Sequence, residues 1–503
     1  MTAYWARHAW TAAGRPDGEP VVAPRVLIEV DARGRIAAVR PDSGPPPAGA
    51  VRLDGLVLPG MANAHSHAFH RALRGSAQLV DAPGDATPGE AHPGGHGGGL
   101  GSGHAGAHAG GGTFWSWRET MYRYAAALDP DRYLALARAV YAEMALAGIT
   151  CVGEFHYLHH APGGARYDDP NAMGEALIRA AGEAGIRITL LDTCYLRGGL
   201  DGTAGYRPLR GAQLRFGDGD AEGWHARWSL LRERWAGHGT GGGGSERVRI
   251  GAALHSVRAF ATEDDYAAFV SWTAGVPRHV HLSEQPAENE ACLAELGRTP
   301  TRLLAEHGFW GPDSTAVHAT HLTVEDVRLL GAAGATVCLC PTTERDLADG
   351  IGPARELAEA GCPLALGSDS HAVIDPFEEA RALELDERLR TRRRGHWTAA
   401  ELLGAAGEAG HAALGWPEAG RLAEGALADL VCVDLESVRT AGPPPELGAQ
   451  TAVFAASAAD VRDVVVAGRP VVRDGTHLLV EDVPAALREA IAALDVLPAG
   501  GRR

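Results

Sequence analysis

The chain has 503 residues, of which 45% are hydrophobic and 22% are charged, and its formal net charge is −17 at pH 7. These proportions are typical of a soluble globular enzyme, and the negative charge argues against nucleic acid or an anionic membrane as partner. No apolar run approaches the roughly 20 residues that span a bilayer. The first ten residues lack the basic-then-apolar order of a signal peptide, so we expect a cytoplasmic protein.

Two residue types restrict the chemistry further. The seven cysteines are scattered without a CxxC pair, which predicts reduced thiols rather than a disulfide framework. The sequence contains no lysine, which excludes a Schiff-base lysine, a P-loop lysine and a carbamylated lysine that bridges two metals. An anionic substrate would need specific arginines inside its site, because the overall charge of the protein does not attract it.

The two ends of the chain carry β-strand patterns. Residues 25–41 alternate apolar and polar side chains around a glycine-containing turn, which predicts a hairpin. Residues 425–437 and 461–475 indicate further strands near the other end. We therefore expect one small β-sandwich domain built from residues 1–57 and 418–480, followed by a C-terminal helix and tail over 481–503.

Between these ends, eight short apolar runs alternate with alanine- and leucine-rich helical stretches. The runs are GLVLPGMANAH, ITCVGEFHY, RITLLDTCY, RVRIGAALHS, RHVHLSE, TAVHAT, ATVCLCP and PLALGSDS. Strands that alternate with helices indicate parallel βα units, and eight such units are what a (β/α)8 barrel requires. The sequence thus predicts the α/β class, with a TIM-like barrel over residues 58–417.

Residues 81–112 interrupt this pattern. The segment consists mainly of glycine, alanine, proline and histidine and contains too few apolar side chains to form a core. We expect a flexible Gly/His-rich insertion, although its histidines could bind a metal weakly.

Polar side chains follow several of the predicted barrel strands. His65 and His67 lie two residues apart and therefore project to the same side of a strand. His281 and Asp369 stand at the ends of two later runs. Because active sites of such barrels lie at the carboxyl ends of the strands, these four side chains are predicted to hold one divalent metal ion, most simply Zn²⁺, with a position left for water. A His-x-His pair alone is common, and the joint placement of all four residues favours the metal site.

Two further groups belong to the same predicted edge. Glu284 follows His281 by three residues, and His318 ends the sixth run. A carboxylate and an imidazole at this position would be suited to proton transfer and to stabilising developing charge.

The motifs together resemble the amidohydrolase superfamily, specifically its mononuclear aminohydrolase branch. The stretches that carry the resemblance are LPGMANAHSHAFHRALRG, HVHLSE, HAT, GSDS and GALADLV…VVVAGRPVVRDG. The resemblance extends over nearly the whole chain apart from the insertion at 81–112. The resemblance implies a hydrolytic enzyme with one bound metal ion, and a homodimer is common among its members.

Several stretches are similar to the members that deaminate N-formimidoyl-L-glutamate. They are FWSWRETMYR, EFHYLHH, HSVRA, HVHLSEQ and PTTERDLADG. The resemblance implies conversion of this dicarboxylate amidine to N-formyl-L-glutamate and ammonia, a step of histidine degradation. Glu284 would then move protons between water and the departing nitrogen, His318 would stabilise the reacting centre, and Asp369 would ligate the metal and orient the attacking water.

The same resemblance implies the substrate contacts. Arg118, expected on a loop after the first barrel strand, and Arg258, after the fourth, are the expected partners of the substrate carboxylates, because a guanidinium binds a carboxylate with two parallel hydrogen bonds. Tyr157 and His255 match further substrate-contacting positions. His70 stands where the family usually has glutamine, so the contact at this position is in doubt.

Alternatives stay open at this stage. Another aminohydrolase of the superfamily, such as a guanine-type ring deaminase, would carry the same metal ligands, but a neutral ring makes little use of two arginines. A non-catalytic protein on the same fold would be expected to lose ligands, and all four are present. Iron or manganese would suit the same nitrogen and oxygen donors as zinc. Four further histidines are expected to have structural roles: His156, His159, His160 and His321.

Overall fold

The computed structural model describes residues 1–78, 114–236, 247–260 and 262–496. The predicted insertion at 81–112 and the last residues of the predicted tail lie outside these ranges. Within them, no helix is both long enough and apolar enough to cross a bilayer.

The strands of the described residues fall into two large sheets and one short hairpin. In chain order they are β1 (Thr2–Thr11), β2 (Val21–Val30), β3 (Ile36–Arg40), β4 (Val51–Pro59), β5 (Met61–Ser66), β6 (Ile149–His156), β7 (Arg187–Cys194), β8 (Gly199–Asp201), β9 (Gly205–Arg207), β10 (Val248–Leu254), β11 (Arg278–Leu282), β12 (Ser314–His318), β13 (Thr336–Leu339), β14 (Leu364–Leu366), β15 (Leu430–Val433), β16 (Val461–Val466), β17 (Arg469–Arg473) and β18 (Thr476–His477).

The α-helices lie mainly between the barrel strands. They are α1 (Phe114–Ala127), α2 (Pro130–Leu146), α3 (Ala172–Ala184), α4 (Ala221–Ala236), α5 (Glu263–Trp272), α6 (Pro286–Leu296), α7 (Pro300–Glu306), α8 (Val324–Ala333), α9 (Pro341–Asp346), α10 (Ala354–Glu359), α11 (Pro376–Thr391), α12 (Ala399–Gly404), α13 (Gly410–Ala413), α14 (Gly448–Ala455) and α15 (Val483–Ala492). The last of these lies within residues 481–503, for which a C-terminal helix and tail are predicted.

The barrel consists of eight strands in the order β5-β6-β7-β10-β11-β12-β13-β14. All the neighbouring pairs are parallel, and a parallel bridge between Ser66 and Asp369 joins the first edge to the last. Most of these strands are buried along their whole length, which explains why the sequence shows them as continuous apolar runs. The eight predicted runs and the (β/α)8 barrel are confirmed.

A second sheet joins the two ends of the chain, in the order β18-β17-β16-β15-β4-β1-β2-β3. Strand β15 pairs antiparallel with β4, and β1 pairs parallel with β4 and antiparallel with β2. The apolar side chains of this sheet form a core of their own, which includes Tyr4, Ile28, Leu53 and Cys432. The predicted β domain from both ends is therefore confirmed, whereas its residue boundaries stay a prediction. Strand β1 was not among the predicted strands.

A buried ion pair joins the barrel to this β domain. Arg187 begins β7, and Asp429 directly precedes β15. The Arg187 Nε and Nη2 atoms donate to the two Asp429 carboxylate oxygens at 3.0 and 3.1 Å, and both side chains are fully buried. Because an unpaired buried charge is strongly destabilising, the pair favours one arrangement of the two domains.

Candidate metal centre and active site

The carboxyl ends of the barrel strands bring four predicted metal ligands together. His65 lies in β5 and His67 directly follows it, His281 lies in β11, and Asp369 follows β14. His65 Nε2 lies 3.2 Å from His281 Nε2 and 3.3 Å from Asp369 Oδ1, and His67 Nε2 lies 3.4 Å from the same oxygen. All four residues are buried.

These separations suit a tetrahedral cation. Metal–ligand bonds of about 2.0–2.1 Å place the ligand atoms of tetrahedral zinc about 3.3 Å apart. The three measured nitrogen–nitrogen and nitrogen–oxygen distances are 3.2, 3.3 and 3.4 Å. The donors are imidazole nitrogens and one carboxylate oxygen, which zinc, iron and manganese all accept. The residues present therefore fit a divalent metal ion.

The second nitrogen of two of the imidazoles fixes which atom faces the centre. His67 Nδ1 lies 2.9 Å from the Phe155 carbonyl oxygen, and His281 Nδ1 lies 2.9 Å from the His255 carbonyl oxygen. Each Nδ1–H donates to its carbonyl, so each Nε2 carries the free lone pair, as in metal-binding histidines generally. For His65, the buried Nδ1 atom has no hydrogen-bond partner among the described residues.

The charge states are those a cation requires. Burial, followed by the neighbouring His65, lowers the pKa of His67 to about 3. Burial and the same neighbour hold the pKa of His281 well below its usual value. For Asp369, burial raises the pKa, but the His65 hydrogen bond and the nearby imidazoles outweigh it and hold the pKa well below its usual range. Neutral imidazoles therefore face an ionised carboxylate near neutral pH.

Glu284 and His318 lie beside this cluster. His318 Nε2 is 3.7 Å from Glu284 Oε1 and 3.8 Å from Asp369 Oδ2, and its Nδ1 is 3.4 Å from Glu344 Oε1. Burial lowers the pKa of His318, but these carboxylates, Glu284 first, overcome it and raise the pKa well above its usual value. Burial raises the pKa of Glu284, although His318 and Arg258 oppose this. A carboxylate with a raised pKa beside an imidazolium is suited to proton transfer.

A second layer of polar side chains supports the His-x-His turn. Glu154 accepts hydrogen bonds from Ser66 Oγ at 2.6 Å and from the Ala68 amide at 2.7 Å, and burial raises its pKa to about 7. His371 lies within hydrogen-bond distance of Ser66 and of Ser368. Sequence reasoning missed both groups, although a carboxylate inside the apolar run ITCVGEFHY was a usable signal for Glu154.

A pocket opens beside the cluster. The lining residues are His67, His70, Trp117, Arg118, Met121, Tyr157, His255, Arg258, His281, Glu284, His318, Leu347 and Asp369. The structure thus gathers all five predicted substrate-binding residues, the three predicted catalytic residues and three of the four predicted metal ligands around one space. Which of them contact a substrate stays a prediction.

One expectation about this pocket was wrong. Arg118 was expected on a loop, but it lies in helix α1, where its Nε donates to Tyr122 Oη, one helical turn away, at 2.6 Å. The side chain of Gln213 in turn donates to Tyr122 Oη at 3.2 Å. A helix holds the guanidinium more firmly than a loop would, because backbone and side-chain hydrogen bonds both fix its place.

The remaining predicted substrate residues form the other walls. Arg258 lies in a short 3₁₀ turn, Val257–Ala259, after β10. His70 Nε2 lies 3.1 Å from Tyr157 Oη, and burial is the main reason that the pKa of His70 is well below its usual value. His255 lies next to Ser256 Oγ at 3.2 Å. The His70 imidazole is therefore neutral and already paired with Tyr157.

Comparison with known proteins shows to which family this chain belongs. The model of the amidohydrolase family matches residues 56–471, which include all eight barrel strands and, from the second sheet, β15, β16 and parts of β4 and β17. The chain belongs to the amidohydrolase family. The predicted resemblance is thereby confirmed, and the amidohydrolase is a hydrolytic enzyme rather than a non-catalytic scaffold.

Alignments with individual relatives extend over most of this chain. It is 36% identical over 464 residues to the formimidoylglutamate deiminase of Pseudomonas aeruginosa, a match that covers 90% of this chain and 92% of the relative. It is 31% identical over 422 residues to the 8-oxoguanine deaminase of the same organism, covering 82% of this chain and 81% of that relative. The crystal structure of an amidohydrolase from Brucella melitensis superposes with a TM-score of 0.83 at 31% identity, covering 99% of this chain and 100% of that one.

Proposed function

We propose that this amidohydrolase converts N-formimidoyl-L-glutamate and water to N-formyl-L-glutamate and ammonia, with one Zn²⁺ ion held by His65, His67, His281 and Asp369. The observation that carries the proposal is the presence of two arginines, Arg118 and Arg258, in the same pocket as the candidate metal ligands. The similarity to formimidoylglutamate deiminase over nine-tenths of the chain supports the same substrate.

The charges in the pocket match the two ends of this substrate. Two guanidinium groups suit the two carboxylates, since each guanidinium can donate two parallel hydrogen bonds to a carboxylate. The other end of the substrate is an amidine, which carries a positive charge when protonated. Glu284 and Asp369 line the pocket at the candidate metal cluster and supply the negative charge that such a group requires.

The residues divide the chemistry among them. A divalent ion in the cluster would lower the pKa of water to about 7 and polarise the amidine. Glu284 accepts a proton from the attacking water and passes it to the departing nitrogen, a role for which its burial and raised pKa suit it. His318 is positively charged and lies 3.7 Å from Glu284. It would stabilise the negative charge that develops on the oxygen bonded to the formimidoyl carbon.

The bonds balance without a further reactant. A carbon–oxygen bond forms between water and the formimidoyl carbon, and the bond from that carbon to its terminal nitrogen breaks. Both water protons are transferred by way of Glu284 to that nitrogen, which carries one hydrogen in the neutral amidine and leaves as ammonia, or as ammonium from the protonated amidine, while the water oxygen becomes the formyl oxygen. The bond to the glutamate nitrogen stays intact, so the second product is the N-formyl amide.

A ring deaminase is the second candidate function. The 31% identity to 8-oxoguanine deaminase favours it, and Trp117 and Tyr157 in the pocket wall offer flat apolar surfaces for a ring. A neutral ring would, however, offer no carboxylate to the Arg118 and Arg258 guanidinium groups that line the pocket.

A substrate comparison with zinc-loaded enzyme decides between the two. We expect ammonia release from N-formimidoyl-L-glutamate, with N-formyl-L-glutamate identified by mass spectrometry, and at most weak release from guanine or 8-oxoguanine. Release of formamide and glutamate would show that the other carbon–nitrogen bond breaks. Deamination of the rings alone would establish the second candidate.

Metal analysis is the companion measurement. Elemental analysis of the purified protein should give one divalent ion per chain, and chelation followed by Zn²⁺, Fe²⁺ or Mn²⁺ identifies the ion that restores most activity. A fully active metal-free protein would contradict the proposal.

A further inference from the structure

We propose that Glu288 positions Arg258 for substrate binding: it is the buried counter-ion that keeps this guanidinium away from Glu284. The inference rests on the proposed function, in which Arg258 binds a substrate carboxylate and Glu284 moves protons. It assigns a role to a carboxylate that lies outside the pocket lining and outside the candidate metal cluster.

The backbone places Glu288 directly behind the active-site strand. Strand β11 ends at Leu282, and helix α6 begins at Pro286 with Gln285 as its N-cap. Glu288 therefore stands in the first turn of α6, four residues after Glu284. The side chain of Glu288 is only 1% exposed, which is unusual for a glutamate unless it is paired.

The cation that faces Glu288 is Arg258. Its Nε atom lies 3.6 Å from Glu288 Oε1, and its Nη2 atom lies 3.9 Å from Glu284 Oε2. Within 4.0 Å, these two carboxylates are the ion-pair partners of Arg258 among the described residues. The arginine thus lies between two carboxylates, one of which lines the pocket and one of which does not.

The two contacts have different consequences. Glu288 is close to Nε, the nitrogen nearest the aliphatic part of the side chain, whereas the contact with Glu284, which lines the pocket, is made by the terminal Nη2. Both ion pairs are longer than regular hydrogen bonds, and Arg258 Nε has no hydrogen-bond partner among the described residues. Such a guanidinium is held in place by charge but keeps donors for an incoming carboxylate.

Removing the Glu288 charge would change the attraction of Arg258 to its two carboxylate neighbours. Glu284 would be left as the carboxylate within 4.0 Å of Arg258, and an opposite charge at closer range would draw the arginine toward it. Arg258 would then be turned from the substrate carboxylate. We therefore expect the main effect on substrate binding rather than on the chemical step.

The test compares E288Q with E288D and with E290Q, which changes an exposed glutamate on the same helix. E288Q should raise KM for N-formimidoyl-L-glutamate about tenfold to a hundredfold, the range expected when hydrogen bonds to a charged group are lost, and change kcat about threefold at most. E288D should recover part of the loss, and E290Q should match the wild type. Calorimetry with N-formyl-L-glutamate and metal-depleted protein should show the same weakening of binding.

A double-mutant cycle with R258A separates positioning from general destabilisation. If Glu288 acts through Arg258, then E288Q added to R258A should change KM about threefold at most, because the two effects are not additive. Additive effects, or a fall in kcat with KM unchanged, would overturn the inference. Should E288Q unfold at the assay temperature, E288D in the same cycle decides. Wild-type protein that releases no ammonia from N-formimidoyl-L-glutamate would instead overturn the proposed function.

Discussion

His65 and Asp369 are tied together by their backbones as well as by their side chains. The Asp369 amide donates to the His65 carbonyl oxygen at 3.0 Å, while His65 Nε2 lies 3.3 Å from Asp369 Oδ1. The backbone contact belongs to the bridge that joins the first barrel strand to the last. The contacts that close the barrel therefore also place two of the candidate metal ligands beside each other.

This arrangement predicts the behaviour of D369N. The amide is a weaker metal ligand than the ionised carboxylate, so the variant should bind less than one metal ion per chain and release ammonia about a thousandfold more slowly, in the range typical of lost acid–base or metal function. Elemental analysis and a steady-state ammonia assay measure both quantities. D264N, which changes an exposed aspartate of α5, serves as control. A D369N protein with full metal content and full activity would refute Asp369 as a ligand.

Glu284 is expected to differ from Asp369 in one respect. E284Q removes the proton acceptor but none of the four proposed ligands, so ammonia release should fall about 10²- to 10⁴-fold while the metal content stays at the wild-type level. The same two assays apply. Loss of metal together with activity would assign Glu284 to the ligand set instead.

Arg118 is predicted to recognise a carboxylate from helix α1. R118A should raise KM for N-formimidoyl-L-glutamate by about tenfold to a hundredfold, and R118K should restore only part of the affinity, because an ammonium cannot donate two parallel hydrogen bonds. R123A alters an exposed arginine on the same helix and should leave KM unchanged. Unchanged KM in R118A would favour a neutral ring substrate.

The sequence predicted the barrel, and it grouped the four candidate metal ligands, because both predictions depend on strands. Buried parallel strands appear as uninterrupted apolar runs, and the end of each run marks the edge where active sites lie. The sequence therefore predicts that four residues lie together, and in the structure each has a ligand atom within 3.4 Å of another member of the set: His65, His67, His281 and Asp369.

The supporting carboxylates could not be predicted in the same way. Glu288 and Glu344 lie on helices that follow strands. Tertiary packing decides which face of such a helix contacts the site, and no short sequence motif indicates it. Arg118 was misplaced on a loop because its helix follows directly on the glycine-rich insertion, where the pattern gives no starting signal. Site residues at the ends of strands are thus easier to predict from the sequence than supporting residues on the helices that follow.

His159 should make the stability of the protein depend on pH. It is buried, its Nε2 lies 2.8 Å from the Thr193 carbonyl oxygen, and burial, followed by the charge of Arg227, lowers its pKa to about 4. Its pKa in the unfolded chain is about 6.5. Between these values the unfolded chain binds a proton that the folded protein does not, so the free energy of unfolding falls as the pH falls through this window.

The variant H159Q isolates this contribution, because glutamine keeps a donor for the Thr193 carbonyl but does not titrate. The free energy of unfolding of the wild type, minus that of H159Q, should fall by about 1.4 kcal/mol per pH unit across the window, or about 3 kcal/mol in total. Urea unfolding of metal-depleted protein at several pH values between 7.5 and 4 measures it. A difference that stays constant with pH would show that His159 is protonated in the folded protein as readily as in the unfolded chain.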